Sequence, residues 1–181
     1  MTVALHKPYG VLSQFTAEVP GQRTLAEFEL PPKLYPIGRL DRDSEGLLLL
    51  TDDNRLKTTL LDPDSHTSKR YCAQVEGIPD GEALDMLSRG VEIRIKKRAY
   101  LTRPAKVQAI ADPGFAERLP PVRFRKHIPT SWIQLQLTEG KNRQVRRMCA
   151  AVGYPVLRLV RTEVGDYSMG NLMPGKWREI G

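Results

Sequence analysis

Short apolar runs separated by turns rich in glycine and proline extend along the whole chain. Regular alternation of apolar and polar residues predicts half-buried strands. One segment, residues 46–51, contains four consecutive leucines and predicts a strand buried on both faces. The other predicted strands cover residues 2–6, 34–40, 70–75, 132–137, 156–160 and 175–180, with mostly strand-like residues between 91 and 110.

Apolar residues at helical spacing predict three helices. Residues 54–61 form a helix that ends before Pro63, and residues 80–89 form another, with Gly90 placed to cap it. Residues 142–152 place Val145, Met148 and Cys149 on one face, and residues 24–29 predict a fourth, weaker helix. Because strands dominate and helices are interspersed among them, the predicted class is α+β with a mixed or antiparallel sheet.

Length and composition are those of a globular protein that needs no disulfide or metal to fold. The 181 residues fit a single domain, within which two subdomains could form, although the sequence indicates no boundary. No apolar run reaches the ~18 residues of a membrane span, and the first residues do not resemble a signal peptide. Two distant cysteines and three scattered histidines form no metal motif, so we expect a cytoplasmic protein without a metal site.

Charge is distributed unevenly along the chain. Residues 1–88 carry a net charge of −5, whereas residues 89–147 carry +11 and residues 148–181 carry +1. A basic block of this density favours a polyanionic partner, nucleic acid more readily than a membrane surface. Solvated strand and loop faces would explain the same charges without any partner.

A proline-rich segment, residues 112–130, predicts a long loop and contains the basic run Arg123 to His127 around Phe124. Loops of this length inside compact domains are more often functional or mobile than without a role. Cations interleaved with aromatic residues suit RNA binding, although this pattern is not specific. A tyrosine on the strand 70–75, Tyr71, is either a core residue with its hydroxyl bonded or a ring on which an extruded base could stack.

Three acids and two arginines directly precede the leucine strand, in the stretch Gly38 to Gly46. Asp41 is by local criteria a turn or capping group. Alternatively, an acid beside a buried strand could act in a site of low dielectric if an arginine keeps it ionised. In an extended segment Asp41, Asp43 and Glu45 would point the same way, and mutual repulsion would leave room for one of them in a buried site.

A second charged motif, residues 139–148, overlaps the last predicted helix. There Arg143 and Arg147 would share a face opposite Val145, and Arg146 would lie at its flank. The pattern allows an ordinary amphipathic helix with a basic exterior. It equally allows Arg143 and Arg147 to bind phosphates while Arg146 turns inward toward an acid.

Four stretches in this order resemble the RsuA/RluB/E/F family of rRNA pseudouridine synthases. They are residues 7–12 (KPYGVL), 38–51 (GRLDRDSEGLLLLT), 69–77 (KRYCAQVEG) and 139–148 (EGKNRQVRRM). The second and fourth are highly specific. Residues 120–121 and 128–132 (IPTSW) are similar to the family's E group, which lacks an N-terminal S4 RNA-binding domain, and we expect none here.

The resemblance implies a pseudouridine synthase fold, with the catalytic cleft across a mainly antiparallel sheet. It also implies that Asp41 is the catalytic aspartate, Tyr71 the ring against the target uracil and Arg146 the salt-bridge partner of Asp41, with Arg39 holding the base out of its helix. The expected activity is isomerisation of a specific uridine in 23S (large-subunit) rRNA, without cofactor or metal. Further RNA contacts are expected from basic residues of the matched and basic segments: Lys69, Arg123, Arg125, Lys126, Lys141, Arg143 and Arg147.

A second hypothesis is a non-catalytic protein that binds rRNA during ribosome assembly. The same basic block motivates it, but a pure RNA binder has no use for an acid such as Asp41 directed at its polyanion. For either function we expect a monomer whose binding weakens steeply with salt.

Overall fold

The computed structural model describes all residues from 1 to 181 and divides the chain into two compact units. The first unit comprises residues 1–67 and 160–181, and the second comprises residues 68–159. The chain is α+β with mainly antiparallel strand pairs and three α-helices, as predicted. No helix in it is long and apolar enough to span a membrane.

The first unit is built around strand β3 (Glu45–Thr51), which is buried along its whole length. Strand β1 (Thr2–Lys7) pairs antiparallel with β3 and, on its other side, with β11 (Trp177–Glu179). Strand β9 (Val156–Val164) pairs with β3 in parallel, with Glu45 opposite Val160. The apolar side chains of β1 and β3 form the core with residues from the following loops. The elements are β1 (Thr2–Lys7), β2 (Tyr35–Pro36), β3 (Glu45–Thr51), α1 (Asn54–Leu61), the end of β9 (Val156–Val164), β10 (Tyr167–Ser168) and β11 (Trp177–Glu179).

In the second unit β8 (Thr130–Leu137) lies between β4 (Lys69–Glu76) and β7 (Lys106–Ile110) and pairs antiparallel with both. A separate hairpin is formed by β5 and β6. Helices α2 and α3 contribute Leu87, Val145 and Met148 to a core shared with β4 and β8. The elements are β4 (Lys69–Glu76), α2 (Gly81–Arg89), β5 (Glu92–Ile95), β6 (Arg98–Leu101), β7 (Lys106–Ile110), β8 (Thr130–Leu137) and α3 (Gln144–Ala151).

The predicted strand over residues 34–40 is wrong for most of its length. Only Tyr35–Pro36 pairs, as the short strand β2, because Pro36 lacks an N–H donor and Gly38 adopts a positive φ of 73° that ends the extended conformation. The weak helix over 24–29 is a single 3₁₀ turn, Leu25–Phe28, capped by the Thr24 side chain.

Candidate active site

Asp41 lies in a turn that leads into β3. The Ser44 N–H donates to the Asp41 carbonyl at 3.0 Å, which closes the turn, and the Asp41 residue is half-buried. The turn contradicts the extended arrangement in which Asp41, Asp43 and Glu45 point the same way. Glu45 is instead buried at the first position of β3. The three acids therefore occupy different environments.

The backbone is fixed immediately before Asp41 by a buried serine. The Ser13 hydroxyl donates to the Leu40 carbonyl at 2.8 Å and accepts from the Leu40 N–H at 3.0 Å. Both bonds are buried, so water does not compete for them. Ser13 thus holds both polar groups of the residue that precedes the candidate aspartate.

The backbone is also fixed immediately after Asp41. The Arg42 carbonyl accepts from the Gly10 N–H at 2.8 Å and lies 3.4 Å from the Lys7 amino nitrogen. Lys7 itself has no exposed surface, and its Nζ also donates to the carbonyls of Pro8 at 2.9 Å and Val11 at 2.8 Å. Lys7 therefore ties the turn after β1 to the Asp41 loop.

Burial lowers the pKa of Lys7 from 10.5 to about 7, even though the nearby carboxylates of Glu45, Asp43 and Asp41 favour the charged form.

Arg39, unlike Lys7, has an exposed side chain, which donates to the Gln14 side-chain oxygen at 2.8 Å. In this first unit the sequence-predicted site residues are thus Asp41, on a fixed loop, and Arg39, on the surface.

The second unit carries Tyr71, Lys69 and the other predicted residues. Tyr71 lies on β4 opposite Leu135 of β8, and its partly buried ring packs against the core of this unit. Lys69 begins the same strand opposite Leu137, and Arg70 between them donates to the Gln136 side chain at 3.1 Å.

The predicted helical pairing of Arg143 with Arg147 is wrong. Arg143 has a left-handed backbone (φ 49°), and α3 begins only at Gln144, so the two arginines do not share a helical face.

Arg146 is partly buried on α3, with a buried Nε atom. Burial raises the pKa of the Cys149 thiol on the same helix to about 12, while the charge of Arg146 opposes this rise.

Arg147 is engaged by other parts of the protein. Its guanidinium donates to the Asn142 carbonyl and side-chain oxygen, both at 3.0 Å, and to the Arg94 carbonyl at 2.8 Å. These bonds use three nitrogens in a forked geometry that only arginine provides. Arg147 therefore fastens the β5–β6 hairpin to the start of α3.

Glu139 joins the same two elements. Its carboxylate accepts from the Tyr100 hydroxyl, from the Arg103 N–H at 2.8 Å and from the Gln144 side chain at 2.8 Å. Burial alone would raise the pKa of the Glu139 carboxyl, but these hydrogen bonds bring it below its usual value, and the bond to Glu139 raises the pKa of Tyr100. Lys141 places its ammonium 5.0 Å from the centre of the Tyr100 ring.

The 112–130 loop has no regular secondary structure before Thr130, where β8 begins, and hydrogen bonds anchor its middle. The Arg118 guanidinium donates to the carbonyls of Pro120 and Leu157, at 2.9 and 3.3 Å, and Arg158 donates to the Ala116 carbonyl at 2.9 Å. Beyond these anchors, one aromatic ring and three basic side chains are exposed: Arg123, Phe124, Arg125 and Lys126. The Nε atom of Arg125 lies 3.5 Å from a carboxylate oxygen of Glu76.

Comparison with known proteins identifies the family. The family model described as "RNA pseudouridylate synthase" matches residues 1–151. The chain belongs to the RNA pseudouridylate synthase family. It is therefore an isomerase of RNA uridine, and the resemblance drawn from the four sequence motifs is confirmed.

Relatives of this RNA pseudouridylate synthase match along nearly its whole length. The Ribosomal large subunit pseudouridine synthase E of Xanthomonas campestris pv. campestris is 53% identical over 98% of this chain and 94% of the relative. The Vibrio parahaemolyticus protein of the same name is 48% identical over 98% of this chain and 73% of the relative. A solved structure titled "Crystal structure of pseudouridylate synthase" is 28% identical, with a TM-score of 0.79, and the match covers 99% of this chain and 70% of that one.

The contacts of Lys7, Ser13 and Glu139 become visible only in the folded structure. Lys7 and Glu139 stand in the first and fourth matched stretches, and Ser13 follows the first. The signal available in the sequence for Lys7 was a lysine at the end of a predicted apolar strand with no acidic residue near it in sequence. Nothing local marks Ser13, because its partner Leu40 is 27 residues away. No group of three or more His, Cys, Asp or Glu is arranged to hold a metal ion.

Proposed function

We propose that this enzyme converts one specific uridine of 23S (large-subunit) rRNA to pseudouridine. The observation that carries the proposal is the name shared by two relatives, Ribosomal large subunit pseudouridine synthase E, which match 98% of the chain at 53% and 48% identity. The proposal includes action in the cytoplasm, where a bacterial rRNA would be met, and a monomeric enzyme. The reaction breaks the bond between N1 and C1′, turns the uracil and joins C5 to C1′, while N1 gains a proton and C5 loses one. Atoms and electrons balance without a cofactor.

Asp41 is the catalytic carboxylate of this proposal. It acts on the ribose, either by attack at C1′ or by abstraction of the C2′ proton. The support is its place in one of the two highly specific motifs and the rigidity of its loop, because catalysis requires reacting groups to be held within fractions of an ångström. Tyr71 is assigned to the target uracil and Arg146 to the Asp41 carboxylate, and Arg39 is assigned to holding the base out of its helix.

RNA affinity comes from the basic side chains, which neutralise phosphates without reading sequence. The proposed contacts are Lys69, Lys141, Arg143 and the exposed end of the 112–130 loop. In that loop Phe124, 55% exposed between two arginines, could stack on a base near the target, so we assign target choice to it. Arg147 is removed from this set, because its guanidinium holds the hairpin instead.

Mapping pseudouridines in the rRNA of cells that lack this protein tests the proposal. One large-subunit pseudouridine should disappear, and return when the wild-type protein or the Asp43→Asn variant is supplied. Asp41→Asn should not restore it. An unchanged map would refute the proposed substrate, and loss of a pseudouridine from another RNA would place the family activity on that RNA instead.

A further inference from the structure

The β5–β6 hairpin has an unusual turn. Ile95 pairs with Arg98, so the turn consists of Lys96 and Lys97 alone, and both have positive φ, 49° and 66°. Two-residue turns of this kind strongly prefer Asn-Gly, because a side chain such as that of lysine disfavours the left-handed region. The chain therefore places two long cations where local conformation favours neither. Unfavourable backbone positions of this kind concentrate at functional sites.

The hairpin is an array of free cations. Arg94, Lys96, Lys97 and Arg98 are all exposed, and no side chain of the four enters an ion pair or a hydrogen bond. Surface cations that stabilise a fold normally lie next to acids. These four contribute repulsion among themselves, which an anionic partner would relieve.

The hairpin is also held rigidly. On its inner face Ile93 is buried and the Tyr100 ring packs against the core of the second unit. Its backbone and side chains are joined to the 139–147 segment by the bonds from Arg147 to the Arg94 carbonyl and from Tyr100 to Glu139. A surface ordered in advance loses little conformational freedom on binding.

We propose that the β5–β6 hairpin is an RNA-phosphate contact surface, with Lys96 and Lys97 at its tip. RNA is the partner that the charge favours, because the family acts on RNA and phosphates are the anions that exposed free cations neutralise most directly. That this RNA is large-subunit rRNA rests on the proposed function. The hairpin then adds affinity for the phosphate backbone of RNA, from residues outside the four matched stretches.

The double variant Lys96→Asn/Lys97→Gly separates binding from folding. It removes both charges and installs the residue pair that the turn prefers, so thermal stability should be equal or higher. Binding of an unmodified large-subunit rRNA transcript is measured by filter binding between 50 and 200 mM salt. We expect the affinity to fall roughly tenfold or more near 0.1 M salt, and the slope of log K against log salt to become shallower by about 1.5.

Lys33→Asn is the matched control. Lys33 is another exposed lysine with positive φ (65°), but it lies in the first unit, outside the hairpin. It should change the slope little. Wild-type affinity and slope in the double variant would overturn the proposal, and so would an equal loss per charge in Lys33→Asn or a wild-type protein that does not bind the transcript.

Turnover is measured separately, as pseudouridine formed in the same transcript. Binding that weakens only in the hairpin variant, without any turnover by the wild type, would support the hairpin contact and refute the proposed substrate. If the wild type modifies the transcript and the variant binds it as tightly as the wild type, the proposed substrate is supported and the hairpin contact is refuted.

Discussion

The Ser13 hydroxyl holds both backbone polar groups of Leu40, donating to its carbonyl at 2.8 Å and accepting from its N–H at 3.0 Å. Leu40 immediately precedes Asp41, and Ser13 is buried. The position of the proposed catalytic carboxylate therefore depends on Ser13, which lies 27 positions before Leu40 in the chain.

Ser13→Ala should damage both stability and catalysis. The variant leaves two buried backbone groups without this partner, at a cost of about 1–3 kcal/mol. At about 2–4 °C per kcal/mol for a chain of this size, the melting temperature should fall by several degrees. A looser Asp41 should lower kcat by roughly tenfold to a hundredfold, while KM for rRNA changes little.

Steady-state kinetics well below the melting temperature separate these two effects. An unchanged kcat together with a lower melting temperature would show that Ser13 serves folding alone.

Lys7 should make stability depend on pH. Below about pH 7 the amine carries its proton in both the folded and the unfolded chain, so folding buries a charge. Between about 7 and 10.5 the unfolded chain keeps a proton that the folded chain has released, so unfolding becomes harder as pH rises. The contribution of this single group reaches at most about 1.4 kcal/mol per pH unit.

Urea denaturation of wild type and Lys7→Met from pH 6.5 to 9.5 measures this effect. Methionine is of similar length but cannot bond the carbonyls of Pro8, Val11 and Arg42, so the variant should be less stable, by about 1–3 kcal/mol for each carbonyl left unpaired. The difference between the two proteins should grow with pH. Parallel curves would contradict the low pKa of Lys7.

Gly46 should tolerate no side chain. Its φ is +106°, and a Cβ there would lie 2.2 Å from the Arg161 carbonyl oxygen on the parallel strand β9. Gly46→Ala must therefore separate β3 from β9 and should cost more than ~4 kcal/mol, the range of severe core defects. We expect little folded protein.

Gly10→Ala is the matched control for backbone strain. Gly10 has a φ of +85°, but nothing lies within 4 Å of a Cβ built there. It should cost only about 1–3 kcal/mol, the price of a left-handed alanine. Equal stabilities of the two variants, measured by thermal denaturation, would refute the steric explanation.

The sequence predicted elements well where local pattern decides them. The helix over 54–61 has the predicted bounds, because Asp53 caps its first turn and Pro63 follows its end. The leucine strand was recognised because only burial on both faces suits four consecutive leucines. The order of the four motifs was sufficient to indicate the family, which the comparisons confirm.

The errors lie where distant contacts or backbone reversals decide. Arg143 has a left-handed backbone, so α3 begins only after it, at Gln144. The Arg147 side chain bonds to the Arg94 carbonyl, 53 residues away. Lys7 is buried because three carbonyls from two loops surround its amine, which no periodicity could reveal. The roles of Asp41, Tyr71 and Arg146 stay predictions from the family motifs.

Tritium release tests the central claim most directly. Large-subunit rRNA labelled with tritium at uridine C5 loses the label to water when C5 bonds to C1′, so the wild type should release one equivalent per target site. Asp43→Asn, in the same turn, should release it nearly as well, whereas Asp41→Asn should release none above background. Full release by Asp41→Asn would contradict the assignment of Asp41 as the catalytic carboxylate.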